Sequence, residues 1–165
     1  MPDGATVTAG SAGGAADPSA ERSTARGASV DASPAAGGSR REGPLHGIRV
    51  LELGTMYAAP TCGRMLRDFG AEVTKVEDPG AGDYARQWTP MKNGQSMGFA
   101  RLNAGKRSVG IDVRSEAGRD LVRRLAADVD VVIESFRPGR LEAWGLGYDV
   151  LSVDNPRLVL TRVSG

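Results

Sequence analysis

From Pro44 onward, short β-rich runs alternate with helical patterns, and this alternation restricts the fold more than any other feature of the sequence. Strands that alternate with helices form βαβ units, in which consecutive strands pair in parallel. The sequence therefore predicts an α/β fold, built on a mostly parallel sheet with flanking helices.

Five runs are predicted to form the strands of this sheet. The first is nearly continuous in apolar residues, as expected of a strand that is covered on both faces. A parallel strand normally leads on to a further crossover, and the fifth run closes the sequence, so we expect a sheet that is incomplete at its C-terminal end. In chain order the runs are Ile48–Gly54, Ala71–Glu77, Ser108–Val113, Val129–Phe136 and Arg157–Gly165.

Capping residues and apolar spacing predict the helices. The first helix begins near Pro60, which suits an initial helical position, and ends at Gly70. Ser115 is predicted to cap the second helix, and one or two short helices are predicted after the sequence RPG. The spacing i, i+3, i+4, i+7 predicts that the buried face of the first helix consists of Cys62, Met65, Leu66 and Phe69.

Residues 1–43 consist almost entirely of Gly, Ala, Ser, Pro and Thr with scattered charges. Such a segment buries too little apolar surface to offset the entropy lost on ordering. We therefore expect a disordered tail, followed by a folded region at residues 44–165. An organellar transit peptide is the alternative interpretation, but those segments are poor in acidic residues, whereas here Asp and Glu are interspersed with the arginines.

The charge composition points away from polyanionic partners. Lys and Arg number 21 against 20 Asp and Glu, so the formal net charge is only +1 and attracts neither nucleic acid nor an anionic membrane. No apolar run approaches the roughly 20 residues that cross a bilayer. The single cysteine, Cys62, has no partner for a disulfide or a metal cluster. We expect a cytoplasmic protein with no metal, no nucleic acid partner and no membrane partner.

The common catalytic patterns are absent from the sequence. Glu77 and Asp78 at the end of the second strand suit a dinucleotide domain, but the G-x-G-x-x-G fingerprint is missing between the first strand and its helix. The only histidine, His46, precedes the first strand, and Cys62 falls within the apolar stripe of a helix, so the pattern does not favour a Cys–His nucleophilic pair. Neither a zinc ligand set nor a Walker loop is present.

The stretch NAGKRSVGIDV places two cations, Lys106 and Arg107, directly before the third predicted strand. One interpretation is a phosphate-binding site. The other is a structural turn whose cations are solvated or paired with a carboxylate. The structural interpretation is favoured, because ligands of an open parallel sheet collect at the opposite edge, beyond the carboxyl ends of the strands.

Five segments of the sequence stand in the order and at the spacing of one known family. They are PLHGIRVLELG, FGAEVTKVEDPGAGDYAR, NAGKRSVGIDVRSEAG, DVVIESFRPGRLEAWGLGYD and NPRLVLTRVSG. On these segments, residues 44–165 resemble the N-terminal part of the family III CoA-transferases, the group of formyl-CoA transferase and carnitine CoA-transferase. The resemblance implies a Rossmann-like large domain, a smaller second domain and a homodimer whose two chains are interlinked.

The resemblance also implies which residues contact coenzyme A (CoA), the substrate and acyl carrier. After the first strand they are Tyr57 and Ala58, which lie against the nucleotide part of CoA in the family. Asp78 stands where the family often has an arginine, and Arg114 and Arg137 are expected to replace part of that positive charge. The implied contacts after the third and fourth strands are Ile111, Asp112, Val113, Arg114, Ser135, Phe136 and Arg137.

The mechanism implied by the resemblance is CoA transfer between an acyl-CoA and a free carboxylic acid, by covalent catalysis at an aspartate carboxylate. In the family this aspartate lies shortly beyond the fifth strand, so it is expected after Gly165. The present sequence is therefore expected to be an inactive N-terminal fragment without a catalytic residue. Two alternatives stay open, namely an α-methylacyl-CoA racemase-type enzyme of the same fold and a non-catalytic CoA- or nucleotide-binding module.

Overall fold

A computed structural model describes residues 43–163, and the structural statements below concern those residues. The predicted disordered tail lies outside them except for Gly43, and so do Ser164 and Gly165 at the end of the fifth predicted strand. Within this range, no helix combines the length and the hydropathy that crossing a membrane requires.

Strands and helices alternate along the described chain, as the sequence predicts. The strands are β1 (Arg49–Leu53), β2 (Glu72–Glu77), β3 (Met91–Lys92), β4 (Gln95–Ser96), β5 (Arg107–Gly110), β6 (Val131–Glu134) and β7 (Val159–Arg162). The helices are α1 (Ala58–Asp68), α2 (Met97–Asn103), α3 (Glu116–Ala127), α4 (Arg140–Ala143) and α5 (Tyr148–Asp154), and a 3₁₀ turn covers Tyr84–Gln87.

The main sheet contains five parallel strands in the order β5-β2-β1-β6-β7. The chain starts in the centre with β1, moves outward to β5, and then returns to add β6 and β7 on the other side of β1. This is the strand order of a Rossmann-like sheet, in which the direction of winding reverses once. The predicted fold class is confirmed.

The third predicted strand ends earlier than the apolar pattern indicates, at Gly110 instead of Val113. The cause is a turn built by Asp112. Its carboxylate accepts a hydrogen bond from the Arg114 N–H at 3.0 Å, and its carbonyl accepts one from the Ser115 N–H at 3.1 Å. The turn leads directly into α3, where the Ser115 hydroxyl accepts the Gly118 N–H at 3.0 Å and confirms the predicted cap.

The predicted buried face of the first helix is wrong in part. Met65 and Phe69 are 60% and 55% exposed, although Cys62 and Leu66 do pack partly against the core. The residues of α1 that are buried are instead the small residues Ala59, Pro60 and Gly63. Gly63 lies directly over Glu52, where there is no room for a side chain. A Cβ atom on Gly63 would come within 2.1 Å of the Glu52 Oε2. Close approach to a buried carboxylate therefore decides which side of α1 faces inward.

The crossover from β2 to β5 contains secondary structure that the sequence analysis did not predict. It contains the 3₁₀ turn, the hairpin of β3 and β4, and α2. Asn93 and Gly94 form the hairpin turn with φ values of 50° and 74°, and Asn-Gly is a strong hairpin signal. The Ser96 hydroxyl then caps α2 by accepting the Phe99 N–H at 3.1 Å.

The sheet is buried on both faces, and the two faces differ in chemistry. The α3 side carries a large apolar cluster, and the α1 side a smaller apolar cluster beside buried charges. The buried residues of the α3 side are Leu51, Leu53, Val76, Ile111, Val122, Ala126, Val132, Leu141, Leu146, Leu151 and Leu158. The buried residues of the apolar cluster on the α1 side are Val50, Ala59, Ala71, Val73 and Ile133.

Candidate functional site

The candidate site lies where the winding of the sheet reverses, between the carboxyl ends of β1 and β6. Chains that leave two such strands diverge and open a crevice, which is where ligands of open α/β sheets bind. Gly54 and Ser135 follow the two strands and approach each other closely. A Cβ atom on Gly54 would lie 2.5 Å from the Ser135 Oγ and 2.2 Å from the Ala59 Cβ, so glycine is required here.

A cavity of about 160 Å³ opens at this edge on the α3 side of the sheet. Its inner surface is apolar, and Phe136 and Trp144 meet edge to face there with ring centroids 5.0 Å apart. Thr55 and four charged residues supply its polar lining groups. The complete lining is Leu53, Thr55, Val76, Glu77, Asp78, Ile111, Asp112, Val113, Arg114, Phe136 and Trp144. An apolar interior with a charged rim suits a flat, partly polar ligand.

The cavity brings together part of the predicted site. Ile111–Arg114 and Phe136 line it, whereas Tyr57, Ala58, Ser135 and Arg137 do not. Tyr57 is 58% exposed and stacks on Trp88 with a centroid distance of 6.5 Å.

Arg114 is occupied by two carboxylates at the rim of the cavity. It pairs with Asp78 and Asp112 at 2.7 Å each, and its side chain is 66% exposed. Hydrogen bonds from the Ala81 and Gly80 N–H groups lower the pKa of Asp78, and hydrogen bonds from Arg114 lower the pKa of Asp112. The expected gain of positive charge from Arg114 is thus offset in this conformation. Exposed ion pairs are weak, so a ligand phosphate is able to compete for the guanidinium.

A buried ion network lies beside the site on the α1 side of the sheet. Lys75 and Glu52 face each other across β2 and β1, and both are at most 1% exposed. The Lys75 Nζ donates to the Glu52 Oε1 at 3.0 Å and to the Gly54 carbonyl at 2.6 Å, and it pairs with the Asp83 Oδ2 at 2.8 Å. All the hydrogens of this ammonium group therefore have acceptors, which is what makes its complete burial possible.

Lys106 completes this ion network from the opposite end of the sheet. Its Nζ donates to the Glu52 Oε2 at 2.7 Å, the Pro60 carbonyl at 2.8 Å and the Asn103 Oδ1 at 2.9 Å, and its side chain is 2% exposed. Burial lowers the pKa of Lys106, while Glu52 opposes the shift. The structural interpretation of the NAGKRSVGIDV stretch is confirmed, since Arg107 also pairs with a carboxylate, Glu72, at 2.5 Å.

Glu77 extends the charged region to the mouth of the cavity. Its carboxylate accepts hydrogen bonds from Arg86, from the Ser108 hydroxyl at 2.6 Å and from the Asp83 N–H at 3.0 Å. Burial by itself would raise the pKa of Glu77, but these hydrogen bonds outweigh it and lower the pKa to about 2. Glu77 is therefore a fixed negative charge at any physiological pH.

Sequence reasoning missed Glu52, Lys75 and Asp83, although one signal was present. Glu52 and Lys75 interrupt two apolar runs, VLELG and EVTKVE, that are predicted neighbours in a parallel sheet. Opposite charges in two adjacent buried strands indicate a buried pair. No comparable signal marks Asp83, because its partners come from segments distant along the chain.

The described residues thus form a Rossmann-like α/β domain with a candidate site at its topological switch point. A sequence model described as CoA-transferase family III matches residues 45–165. The chain belongs to this family.

Similar proteins cover the same part of the chain. A succinyl-CoA–D-citramalate CoA-transferase from Chloroflexus aurantiacus is 50% identical over 123 residues, which is 74% of this chain and 31% of that protein. A succinate–glutarate CoA-transferase from Agrobacterium fabrum is 43% identical over 132 residues, covering 76% of this chain and 33% of that protein. The chain spans about a third of the length of these relatives.

The fold is also similar to that of solved structures. The crystal structure of a CAIB/BAIF family protein from Brucella suis has a TM-score of 0.69 and 44% sequence identity to this chain. The similarity covers 74% of this chain and 33% of that one.

Proposed function

We propose that this chain is the N-terminal part of an enzyme that transfers CoA from an acyl-CoA thioester to a free carboxylic acid. The observation that carries the proposal is the family match over residues 45–165, together with relatives named as CoA-transferases at 50% and 43% identity. The names of those relatives favour succinyl-CoA as donor and dicarboxylic acids as acceptors.

In this proposal, the nucleotide part of CoA binds at the carboxyl edge of the sheet, in and around the cavity. The apolar interior suits the face of a base, and Arg114 is placed to exchange Asp78 for a phosphate. Tyr57, Ala58, Ser135 and Arg137 are proposed to contact parts of the ligand that extend beyond the cavity along the crevice. Arg137 is exposed, with no ion-pair partner among residues 43–163.

The proposed reaction uses an aspartate beyond Gly165. Its carboxylate attacks the thioester carbonyl, the C–S bond breaks, and a mixed anhydride forms with release of the CoA thiolate. The thiolate then attacks the aspartyl carbonyl of the anhydride, which frees the donor acid and leaves an aspartyl-CoA thioester. The acceptor carboxylate then attacks the aspartyl-CoA thioester and releases the CoA thiolate, which attacks the acceptor acyl carbonyl of the new anhydride. The acyl-CoA of the acceptor forms and the aspartate is regenerated, without an external oxidant or reductant.

The test is turnover of succinyl-CoA with a panel of dicarboxylic acids by the native full-length protein, with products identified by mass spectrometry. We expect a new acyl-CoA, free succinate and a protein-bound CoA adduct that hydroxylamine removes. Exchange of the α-proton of a branched acyl-CoA without CoA transfer would indicate a racemase instead. CoA binding without either reaction would indicate a binding module. The polypeptide of residues 1–165 alone is expected to be inactive.

Two arginines offer a matched pair of variants for locating the CoA site. Arg114 and Arg107 are similarly exposed, at 66% and 72%, and each pairs with a carboxylate, but they lie at opposite edges of the sheet. Arg114→Gln is expected to raise the KM for acyl-CoA about tenfold, because one charge-assisted contact to phosphate is lost. Arg107→Gln is expected to leave the KM unchanged. Equal effects of the two substitutions would place the CoA site elsewhere.

The assembly and location of the protein remain predictions. We propose that the full-length chain forms an interlinked homodimer in the cytoplasm, as the family resemblance implies. Light scattering of the native protein is expected to give twice the mass of the chain, and a monomeric mass at micromolar concentration would contradict the dimer.

A further inference from the structure

The loop between β1 and α1 contains a backbone conformation that needs support. Met56 has a φ angle of 66°, in the left-handed region that residues other than Gly, Asn and Asp seldom adopt. Its side chain is 46% exposed, so core packing does not hold it there. Residues held in such conformations cluster at binding and active sites, where the surrounding structure compensates for the strain.

Two buried side chains hold the backbone of this loop. The Met56 N–H donates to both carboxylate oxygens of Asp83, at 3.0 and 3.2 Å. The Gly54 carbonyl accepts a hydrogen bond from the Lys75 Nζ at 2.6 Å. Asp83 and Lys75 are themselves paired at 2.8 Å, and both are at most 1% exposed. The two ends of the loop are therefore tied to one buried ion pair.

Between and beyond these anchors lie one residue of the cavity wall and one of the proposed ligand contacts. Thr55 stands between Gly54 and Met56 and lines the cavity. Tyr57 comes next and is the cap residue of α1, but its side chain makes no capping hydrogen bond. No capping side chain at Tyr57 therefore fixes the start of α1, whereas the loop before it is anchored at Gly54 and Met56.

Asp83 also ties this loop to the segment that follows β2. Its Oδ1 accepts the Ala85 N–H at 2.9 Å, and its own N–H donates to the Glu77 Oε2 at 3.0 Å. Glu77 lines the cavity. One buried carboxylate thus connects two walls of the site, after β1 and after β2.

We propose that Asp83, held by Lys75, is a positioning residue for CoA binding, which fixes Thr55 and Tyr57 at the site by locking Met56 in its left-handed conformation. The proposal rests on the proposed function and assigns Asp83 and Lys75 no contact with CoA. A loop that is already ordered before binding costs less free energy to order on binding. Loss of the hydrogen bonds between Met56 and Asp83 is therefore expected to weaken CoA binding more than it slows the chemical step.

The first test compares two substitutions of Met56 in the native full-length protein. Val and Asn both shorten this half-exposed side chain, but only a β-branched residue strongly disfavours a positive φ, whereas Asn tolerates it. Met56→Val is expected to raise the KM for succinyl-CoA about tenfold, with kcat changed less than about threefold. Met56→Asn is expected to change the KM less than about twofold. Equal KM values for the two variants would overturn the proposal.

The second test removes the charge of the anchor. Asp83→Asn keeps the size of the side chain and loses the ion pair with Lys75, so the KM is expected to rise with little change in kcat. The stability control is Val73→Ala, which truncates a buried apolar residue on the same face of β2 that takes no part in the ion network. The control is expected to lower the melting temperature and leave the KM unchanged. A folded Asp83→Asn protein with the wild-type KM, or a Val73→Ala protein with the same KM increase, would overturn the proposal. If Asp83→Asn does not fold, the two Met56 variants decide.

CoA affinity measured by calorimetry on the same variants separates this inference from the proposed function. If the wild-type protein binds CoA without transferring it, the proposed function fails. The ratio of the CoA affinities of Met56→Asn and Met56→Val still decides the positioning role of Asp83. If the wild-type protein transfers CoA and all variants bind it equally, only the positioning role fails. Absence of CoA binding by the wild-type protein overturns both.

Discussion

The two faces of the sheet bury neighbouring residues of one strand by different means. On β1, Leu51 points to the α3 side and Glu52 to the α1 side, and they are 1% and 0% exposed. Leu51 is stabilised by removal of apolar surface from water, which needs only a cavity of the right volume. Glu52 is stabilised by Lys75 and Lys106, which must stand at hydrogen-bonding distance. Packing on the α3 side therefore depends on the volume of the apolar side chains, whereas burial of Glu52 on the α1 side depends on the distances to its cationic partners.

The buried charged groups on the α1 side of the sheet are all hydrogen bonded. Every buried side-chain nitrogen and oxygen within residues 43–163 has a hydrogen-bond partner. Buried ion pairs gain little net stability over apolar residues, but removal of one partner leaves an uncompensated charge. The α1 side is thus expected to respond to substitution more sharply than the α3 side, and to respond to pH as well.

The largest effect is expected from Lys75→Met, which keeps the length of the side chain and removes its charge. Glu52 and Asp83 would remain buried beside each other without the cation between them. We expect the free energy of unfolding to fall by about 3–5 kcal/mol, measured by urea denaturation at pH 7. A loss below about 1 kcal/mol would show that the network is not the specific element of this face.

The second prediction concerns the apolar face. Leu51→Ala leaves a cavity in the α3-side cluster and is expected to cost about 3 kcal/mol. Because no titrating group is involved, the loss is expected to be the same at pH 7 and pH 4. Leu51→Met serves as the volume-conserving control and is expected to cost less than about 1.5 kcal/mol. A pH-dependent loss for Leu51→Ala would contradict the proposed difference between the faces.

The third prediction uses the pKa of Glu77, which is lowered from its ordinary value of 4.5 to about 2. A carboxyl with a lowered pKa in the folded state stabilises the protein above the unfolded pKa, and this stability is lost as the pH falls through the folded pKa. The contribution is of the order of 3 kcal/mol at pH 7. Relative to Glu77→Gln, the wild-type advantage is expected to be constant above pH 4.5 and to decline from there to pH 2. An advantage that does not change over this range would refute the assignment.

The smallest effect is expected from Arg107→Gln. Lys106 and Arg107 are adjacent, yet the side chain of the first is 2% exposed and that of the second 72%. The exposed pair of Arg107 with Glu72 is expected to contribute less than about 1 kcal/mol, and less still in high salt. Lys106→Gln is the contrasting substitution, and an equal loss from the two would mean that burial does not separate these neighbours.

Much of the fold was predictable from the sequence because the signals are local. The alternation of strands and helices and the Ser115 cap appear in the structure, and the prediction of one or two short helices after RPG is met by α4 and α5. The hairpin at Asn93-Gly94 was missed, although its turn residues are diagnostic. The exposure of Met65 and Phe69 was not predictable, because the helix meets the sheet through Gly63 over a buried carboxylate.

The position of the candidate site was predictable from the sequence, but its hydrogen bonds and ion pairs were not. The strand periodicity and the family segments were sufficient to place Ile111–Arg114 and Phe136 at the carboxyl edge. They did not reveal that Arg114 is held by Asp78 and Asp112, or that Asp83 anchors Met56.

The sequence by itself determined the α/β class, the family and the edge of the sheet at which the candidate site lies, because periodicity, caps and motif spacing are properties of short segments. Only the tertiary structure decided which of two adjacent cations is buried and which carboxylate it meets. Lys106 reaches Glu52 across 54 residues of sequence. The energy of such a contact depends on distance and on exclusion of water, and both exist only once the sheet and α1 have packed together.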